Sequence, residues 1–332
     1  MKRDNHLMEA IADPDNLRLA FWKARKGKDD KADVIRFRQS LDDNLWTLRQ
    51  QLLAGNVLVG NYHYFKIYDP KERTICAAAF SERVIHHALM NVCHANFDRF
   101  QIFDSYACRL GKGTYAALNR AKQYQQKYKY FLKLDVRKYF DTIEHNVLKN
   151  MLAGRFKEVK LLTVFEQIID SYHTQPNKGL PIGNLTSQYF ANHYLALADH
   201  YLKEVEQQKA YIRYMDDMVL WDNDKSALLK KGVRFEHFIA QKLQVELKPL
   251  CLNYTAKGLP FLGYRLYPDT VLLTRSSKKR FECKLKKYTD KLHDNEWNQQ
   301  DYQRHILPLL ACIKHADTFA FRQNKLKIMK IA

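Results

Sequence analysis

The sequence is short of acidic charge and has no C-x-x-C pair, no internal repeat and no low-complexity segment. It also has no apolar run approaching the ~20 residues that cross a bilayer. Each shortage excludes something. Cys76, Cys93, Cys108, Cys251, Cys283 and Cys312 are scattered, so neither a disulfide framework nor a paired-cysteine zinc module is expected, and the thiols should be reduced. The nearest approach to a metal cluster, Cys312 with His305 and His315, lacks a second ligand pair and reads as ordinary helix residues. The opening MKRDNHLMEAIADPDN is too polar for a signal peptide, so a cytoplasmic location with no membrane partner is expected. Asp and Glu number 36 against 55 Lys and Arg, a net charge of +19 in a chain that is 46% hydrophobic. Such a balance suits a folded protein with a polyanionic partner, nucleic acid first, with a merely basic soluble enzyme as the bland alternative. The 332 residues suffice for two or three lobes.

Three textures follow one another along the chain. Val34, Phe37, Leu41, Leu45, Leu48 and Leu52 recur at helical spacing and predict one buried helical stripe, with Arg36, Arg38 and Arg49 facing elsewhere. YHYFKIYDPKERTICAAAF then predicts two strands around a turn at Asp69-Pro70-Lys71-Glu72, followed by a helix capped by Ser81. From 130 to 267 short β-like runs alternate with helical stretches. The last sixty residues, starting TRSSKKRFECKLKKY, read as helical and strongly basic.

Two acidic positions interrupt apolar strands. In YKYFLKLDVRKYFDTIEHNVL, Asp135 ends a strand, and Asp141 with Glu144 predicts a capping box for the helix that follows. In RYMDDMVL, Asp216-Asp217 falls where a tight hairpin turn would lie; a polar turn alone would account for the pair. Two carboxylates mounted on strand ends of one antiparallel sheet also suit hard divalent cations, which take few carboxylates plus substrate phosphate oxygens. Two such ions can clamp an in-line phosphoryl displacement without a protein nucleophile.

LDVRKYFDTI, GLPIGNLTSQYFAN, RYMDDMVL and GLPFLGY, in this order, resemble the successive palm motifs of reverse transcriptases. PKERTICAAAFSERVIHHAL and SYACRLGKGTYAALNRA resemble the finger motifs of the prokaryotic, group II intron-related branch. Ile182 and Ser187-Gln188 depart from the usual Gln-Gly and Ser-Pro of that branch and look like the reverse transcriptases of diversity-generating retroelements, which copy a template RNA with errors at adenines. The resemblance implies an α+β right-hand polymerase with fingers, a ferredoxin-like antiparallel palm and a short helical thumb. The expected division is 1–130 for N-terminal helices and fingers, 131–274 for the palm (with finger-connecting helices about 145–180), and 275–332 for the basic helical thumb.

On the matching positions, the resemblance implies that Asp135, Asp216 and Asp217 are catalytic. They would hold two Mg2+ ions, replaceable by Mn2+, with the Val136 carbonyl as a further ligand. Phe140 takes the steric-gate position, where a ring under the sugar collides with a 2′-hydroxyl; a core aromatic is the alternative. Lys71 and Arg73 match the cations that hold the triphosphate, and Arg109 a further phosphate or template contact. Ile182, Gly183 and Gln188 lie where the nascent pair is approached, Gly183 with Gly179 keeping the loop slim. Lys257 is a candidate proton donor to pyrophosphate. The partners implied are template RNA, a DNA or RNA primer, dNTPs and a small basic accessory protein. A nuclease or endonuclease pattern is not seen, so strand removal and target cutting are expected from elsewhere. A retron, intron-derived or phage-defence reverse transcriptase is the alternative within the class, and a non-catalytic RNA-binding scaffold the alternative outside it.

Overall fold

The structure, a computed structural model, describes residues 6–68 and 72–328. The chain divides into two compact units, each assembled from three segments: 1–109, 135–207 and 234–248 in the first, and 110–134, 208–233 and 249–332 in the second. This division interleaves along the sequence, whereas the motif-based partition at 131 and 275 is contiguous.

In the first unit, Asp13 starts the helix Pro14–Arg25 by accepting from the backbone N–H groups of Asp15 and Asn16, with Pro14 at the first helical position. The apolar stripe expected as one helix is two, Ala32–Gln39 and Leu41–Ala54, because Ser40 leaves the helical region at φ −122°, ψ 51°. The stripe itself is buried: Val34, Phe37, Leu45, Leu48 and Leu52 are inside, and Phe37 stacks on Phe21 and meets Phe80 edge-on. β1 (Tyr62–Ile67) and β2 (Arg73–Ala78) pair antiparallel as expected, Tyr62 opposite Ala78 and Ile67 opposite Arg73, while residues 69–71 of the expected turn lie outside the described residues. The helix Phe80–Asp98 follows, but Ser81 lies inside its first turn and Ala79 holds the cap position without a side-chain bond. The capping box is also displaced: Glu144 itself caps the helix His145–Ala153, accepting from the Val147 N–H at 2.7 Å, while Asp141 belongs to the preceding short helix Tyr139–Thr142. Helices Val159–Asp170 and Leu185–His200 complete the unit's core with Phe165, Phe190 and Tyr194.

The second unit holds the main sheet apart from Asp135, which the division counts with the first; its strands are β3 (Tyr130–Asp135), β4 (Tyr211–Tyr214), β5 (Asp217–Asp222) and β6 (Cys251–Tyr254) in the order β4-β5-β3-β6. β4 pairs antiparallel with β5, and β3 with β6. A second antiparallel sheet contains β7 (Leu259–Phe261), β8 (Tyr264–Leu266) and β9 (Val271–Leu273). Phe131, Leu132, Tyr211, Ile212 and Met218 to Trp221 are buried, which is why these strands read as nearly continuous apolar runs. Gln125, buried on the helix Thr114–Lys127, accepts from Trp221 Nε1 at 2.8 Å and donates to the Leu266 carbonyl at 2.7 Å, joining the helix to both sheets with its polar groups satisfied. The basic C-terminal segment is helical, as expected: Arg275–His293, Gln299–Lys314 and Phe319–Ile328.

Candidate active site

The turn between β4 and β5 consists of Met215 and Asp216, since Tyr214 pairs with Asp217. The turn therefore sits one residue earlier than the sequence suggests, and Asp217 is the first strand residue. Met215 has φ +56°, a left-handed value that two-residue hairpins usually give to glycine. Holding a side-chain-bearing residue there costs roughly 1–2 kcal/mol. Arg213, fully buried on β4, donates from its guanidinium to the Met215 carbonyl at 3.2 Å. The strained turn thereby has a fixed support beneath the residue that precedes Asp216. Lys133 on β3 places its ammonium 3.0 Å from the Asp217 carboxylate and also donates to the Pro260 carbonyl at 2.9 Å.

β3 is the neighbour of β5 in the sheet, and Asp135 is its last residue. Asp135 lies two positions beyond Lys133 and so shares its face of the strand. Lys248 holds Asp135 twice: its backbone N–H donates to the Asp135 carbonyl at 2.8 Å, and its ammonium stands 2.6 Å from Oδ1. One carboxylate oxygen of Asp135 and one of Asp217 are shut off from solvent. Each is a hard anionic oxygen of the kind a divalent cation takes, now covered by an ammonium that a metal would have to displace. Among the described residues, no three His, Cys, Asp or Glu side chains gather into a ready metal cage. Val136 is buried and bridges to Leu247.

Phe140 is half-buried in the short helix Tyr139–Thr142, with Tyr139 edge-on at 5.7 Å. Its carbonyl accepts the Leu180 N–H at 2.8 Å, tying the aromatic position to the loop that carries the glycines. In that loop the Ile182 carbonyl accepts the Cys76 N–H of β2 at 2.8 Å. Gly183 follows at φ +122°, where a Cβ would lie 2.8 Å from Ile75 Cγ2. Glycine is required there by backbone sign and by close approach to β2 together. The Ile182 side chain is half-buried, and burial pushes the neighbouring Cys76 thiol up, leaving it a neutral packing group. Gln188 is half-buried and its Oε1 accepts from the Cys108 thiol at 3.2 Å.

Three cations expected to meet phosphates have different placements. Arg73 is exposed at the start of β2, and Lys71 lies outside the described residues. Arg109 is committed within its own loop: its side chain is only 11% exposed, pairs with Asp98 at 2.6 Å and donates to the carbonyls of Ile102 and Ser105. Its present arrangement shapes the loop, and a phosphate contact would compete with these bonds. Lys257 is exposed at the end of the short turn Thr255–Lys257. Lys133, Lys248 and Arg213 were given no role in the site from the sequence. Lys133 alone left a signal, its place two residues before Asp135 on a strand; Lys248 and Asp135 are too far apart in the chain for spacing to pair them.

The chain thus has an α+β fold with antiparallel sheets and an acidic turn between two neighbouring strands of its main sheet, β4 and β5. Residues 69–266 match the family described as "Reverse transcriptase (RNA-dependent DNA polymerase)", more than half of the chain, and the protein belongs to that family. A 129-residue stretch is 25% identical to the Putative COX1/OXI3 intron 2 protein of Saccharomyces cerevisiae, covering 37% of this chain and 15% of that protein. Protein YkfC of Escherichia coli is 21% identical over 268 residues, covering 65% of this chain and 70% of that protein. Telomerase from Candida tropicalis, solved in complex with a TWJ fragment of telomeric RNA, shares the fold with a TM-score of 0.51 at 14% identity, over 83% of this chain and 56% of that one. The chain therefore spans only a small part of the yeast relative and little more than half of the telomerase. Among the described residues no helix is long and apolar enough to cross a membrane.

Proposed function

We propose that this protein makes cDNA on a template RNA by nucleotidyl transfer, with Asp135, Asp216 and Asp217 as the catalytic carboxylates. The observation that carries the reading is the mounting of these residues. Asp216 occupies a strained two-residue turn supported by a buried arginine, Asp217 opens β5, and Asp135 closes the neighbouring strand. Rigid strand ends hold ligands better than loops do. The three aspartates, with the Val136 carbonyl, would hold two Mg2+ ions, or Mn2+ in their place. Bound there, the metals would lower the pKa of the primer hydroxyl and neutralise charge on the phosphates.

The protein's own groups do the rest. Lys133 and Lys248 balance the carboxylate charge, the Phe140 ring excludes a ribose 2′-hydroxyl and so selects dNTPs, and Lys71 and Arg73 engage the triphosphate. Gly183 keeps the loop thin beside the nascent pair, where Ile182 and Gln188 complete the pocket wall. Template RNA and a DNA or RNA primer are the macromolecular partners, the basic helix Arg275–His293 contacting their backbone.

Within the family we favour a diversity-generating retroelement enzyme that errs at template adenines and works with a small basic accessory protein. The departure at Ile182 and Ser187-Gln188 supports this reading. The likeness to a yeast intron protein favours the intron-derived alternative. A scaffold without catalysis is disfavoured because all three aspartates are present. The test is primer extension on RNA in Mg2+: Asp216→Asn should abolish dNTP incorporation while leaving the melting temperature and RNA affinity nearly unchanged. Incorporation within about tenfold of wild type would remove Asp216 from the metal site.

A further inference from the structure

A cavity of about 220 Å³ opens between the helices Pro14–Arg25 and Leu41–Ala54, outside the segment shared with reverse transcriptases. Leu17 and Leu45 are its buried apolar lining, and Trp46 stands on its wall 64% exposed. Its volume falls below the roughly 300–1,000 Å³ of small-molecule sites and suits a single large side chain. Arg49, one turn beyond Leu45, also lines it, and the Arg49 Nε is buried with no hydrogen-bond partner among the described residues. The other cation on the wall, Arg18, is already paired with Asp42 at 2.7 Å. The cavity is therefore lined by an aromatic face, an apolar floor and a guanidinium whose Nε lacks an acceptor among the described residues; that atom is shut off from solvent, so the Arg49 side chain must turn for an incoming group to reach it. A buried donor without a partner is costly, and a carboxylate is the acceptor that a guanidinium binds best.

We propose that this cavity is a docking site for a protein partner, which inserts a bulky apolar side chain beside Trp46 and sets an adjacent carboxylate on Arg49. Charge favours protein over nucleic acid as the occupant. Residues 1–60 hold 11 Lys and Arg against 9 Asp and Glu, only +2 of the chain's +19, so this region lacks the cationic excess that tracks a phosphate backbone. Exposed tryptophan beside arginine is also the composition of interface hot spots. A further exposed tryptophan, Trp22, lies one turn beyond Arg18 on the same helix, with the Arg25 guanidinium over its ring at 3.8 Å. The reading is independent of the polymerase site.

The test uses the full chain labelled with 15N, the Trp46 indole signal being assigned with Trp46→Phe. The probes are the peptide Ac-Gly-Asp-Trp-Glu-Gly-NH2 and its uncharged counterpart with Asn and Gln in place of the acids. The acidic peptide should shift the Trp46 signal saturably and bind at least tenfold more tightly than the uncharged one. Arg49→Gln should erase that difference, Arg49→Lys should keep part of it, and primer extension should be unchanged in both variants. Equal binding of the two peptides, no effect of Arg49→Gln, or no shift at all would overturn the proposal. Displacement of the peptide by a 12-nucleotide single-stranded RNA would also overturn it, in favour of a nucleic-acid surface.

Discussion

Lys248 grips Asp135 at both ends, its backbone N–H on the Asp135 carbonyl at 2.8 Å and its ammonium 2.6 Å from Oδ1. The backbone bond sets the position of the strand end, whereas the ammonium occupies the carboxylate that a metal would use. The two side chains are 44% and 32% exposed, so the ion pair is worth no more than about 1 kcal/mol.

Removing the ammonium should therefore ease metal loading. Lys248→Met is expected to lower the Mg2+ concentration for half-maximal primer extension by about two- to fivefold, as loss of up to ~1 kcal/mol of competition allows. The melting temperature should hardly move, because the backbone bond survives. A raised Mg2+ requirement would mean that Lys248 supports the carboxylate instead of competing for it.

Phe140 is half-buried, and its backbone carbonyl accepts the Leu180 N–H of the glycine loop. Phe140→Ala should admit ribonucleotides, changing the dNTP to rNTP ratio in single-nucleotide extension more than the dNTP turnover itself. An unchanged ratio, with loss of stability, would assign the ring to the core.

With Ile182 beside the nascent pair, as proposed, a hydrocarbon in place of the amide that the family resemblance implies would leave shape as the main discriminator. Ile182→Gln should lower misincorporation opposite template adenine more than opposite other bases. About 1.4 kcal/mol of regained discrimination would be a tenfold effect. Sequencing cDNA made by both enzymes from one RNA reads this directly, and identical adenine error spectra would leave Ile182 as packing alone.

His193 is buried on the helix Leu185–His200, and burial, followed by the charge of Arg155, pushes its pKa down to about 3. Its unfolded value is about 6.5, so the unfolded chain binds the proton first as pH falls. The stability is present above pH ~6.5 and is lost on acidification toward pH 3, at roughly 1.4 kcal/mol per pH unit. Urea titrations between pH 7 and 4 should show this slope reduced in His193→Leu. His87, pushed down to about 4 mainly by burial, should keep part of it.

Much of the secondary structure was legible because it is written in local patterns. The β1–β2 hairpin follows from alternating runs around a turn, and the central strands from short apolar runs. The break at Ser40 was not legible, since the apolar spacing on either side stays in helical register while one residue leaves the helix. The cap at Glu144 was misplaced for a related reason: Asp141 and Glu144 both fit a helix start, and only the fold shows the short helix that uses the first.

By itself the sequence determined where the aspartates stand, because a carboxylate inside an apolar strand run is costly and so conspicuous. It also determined that Gly183 lies in a loop and that the last segment is helical and basic. The tertiary structure alone decided what surrounds them. It chose Lys133 and Lys248 as counter-charges, tied Arg109 into its own loop, and left the Nε of cavity-lining Arg49 without an acceptor among the described residues. The reason is that charge partners and cavities are set by side chains brought together from distant points of the chain, and no periodicity records that meeting.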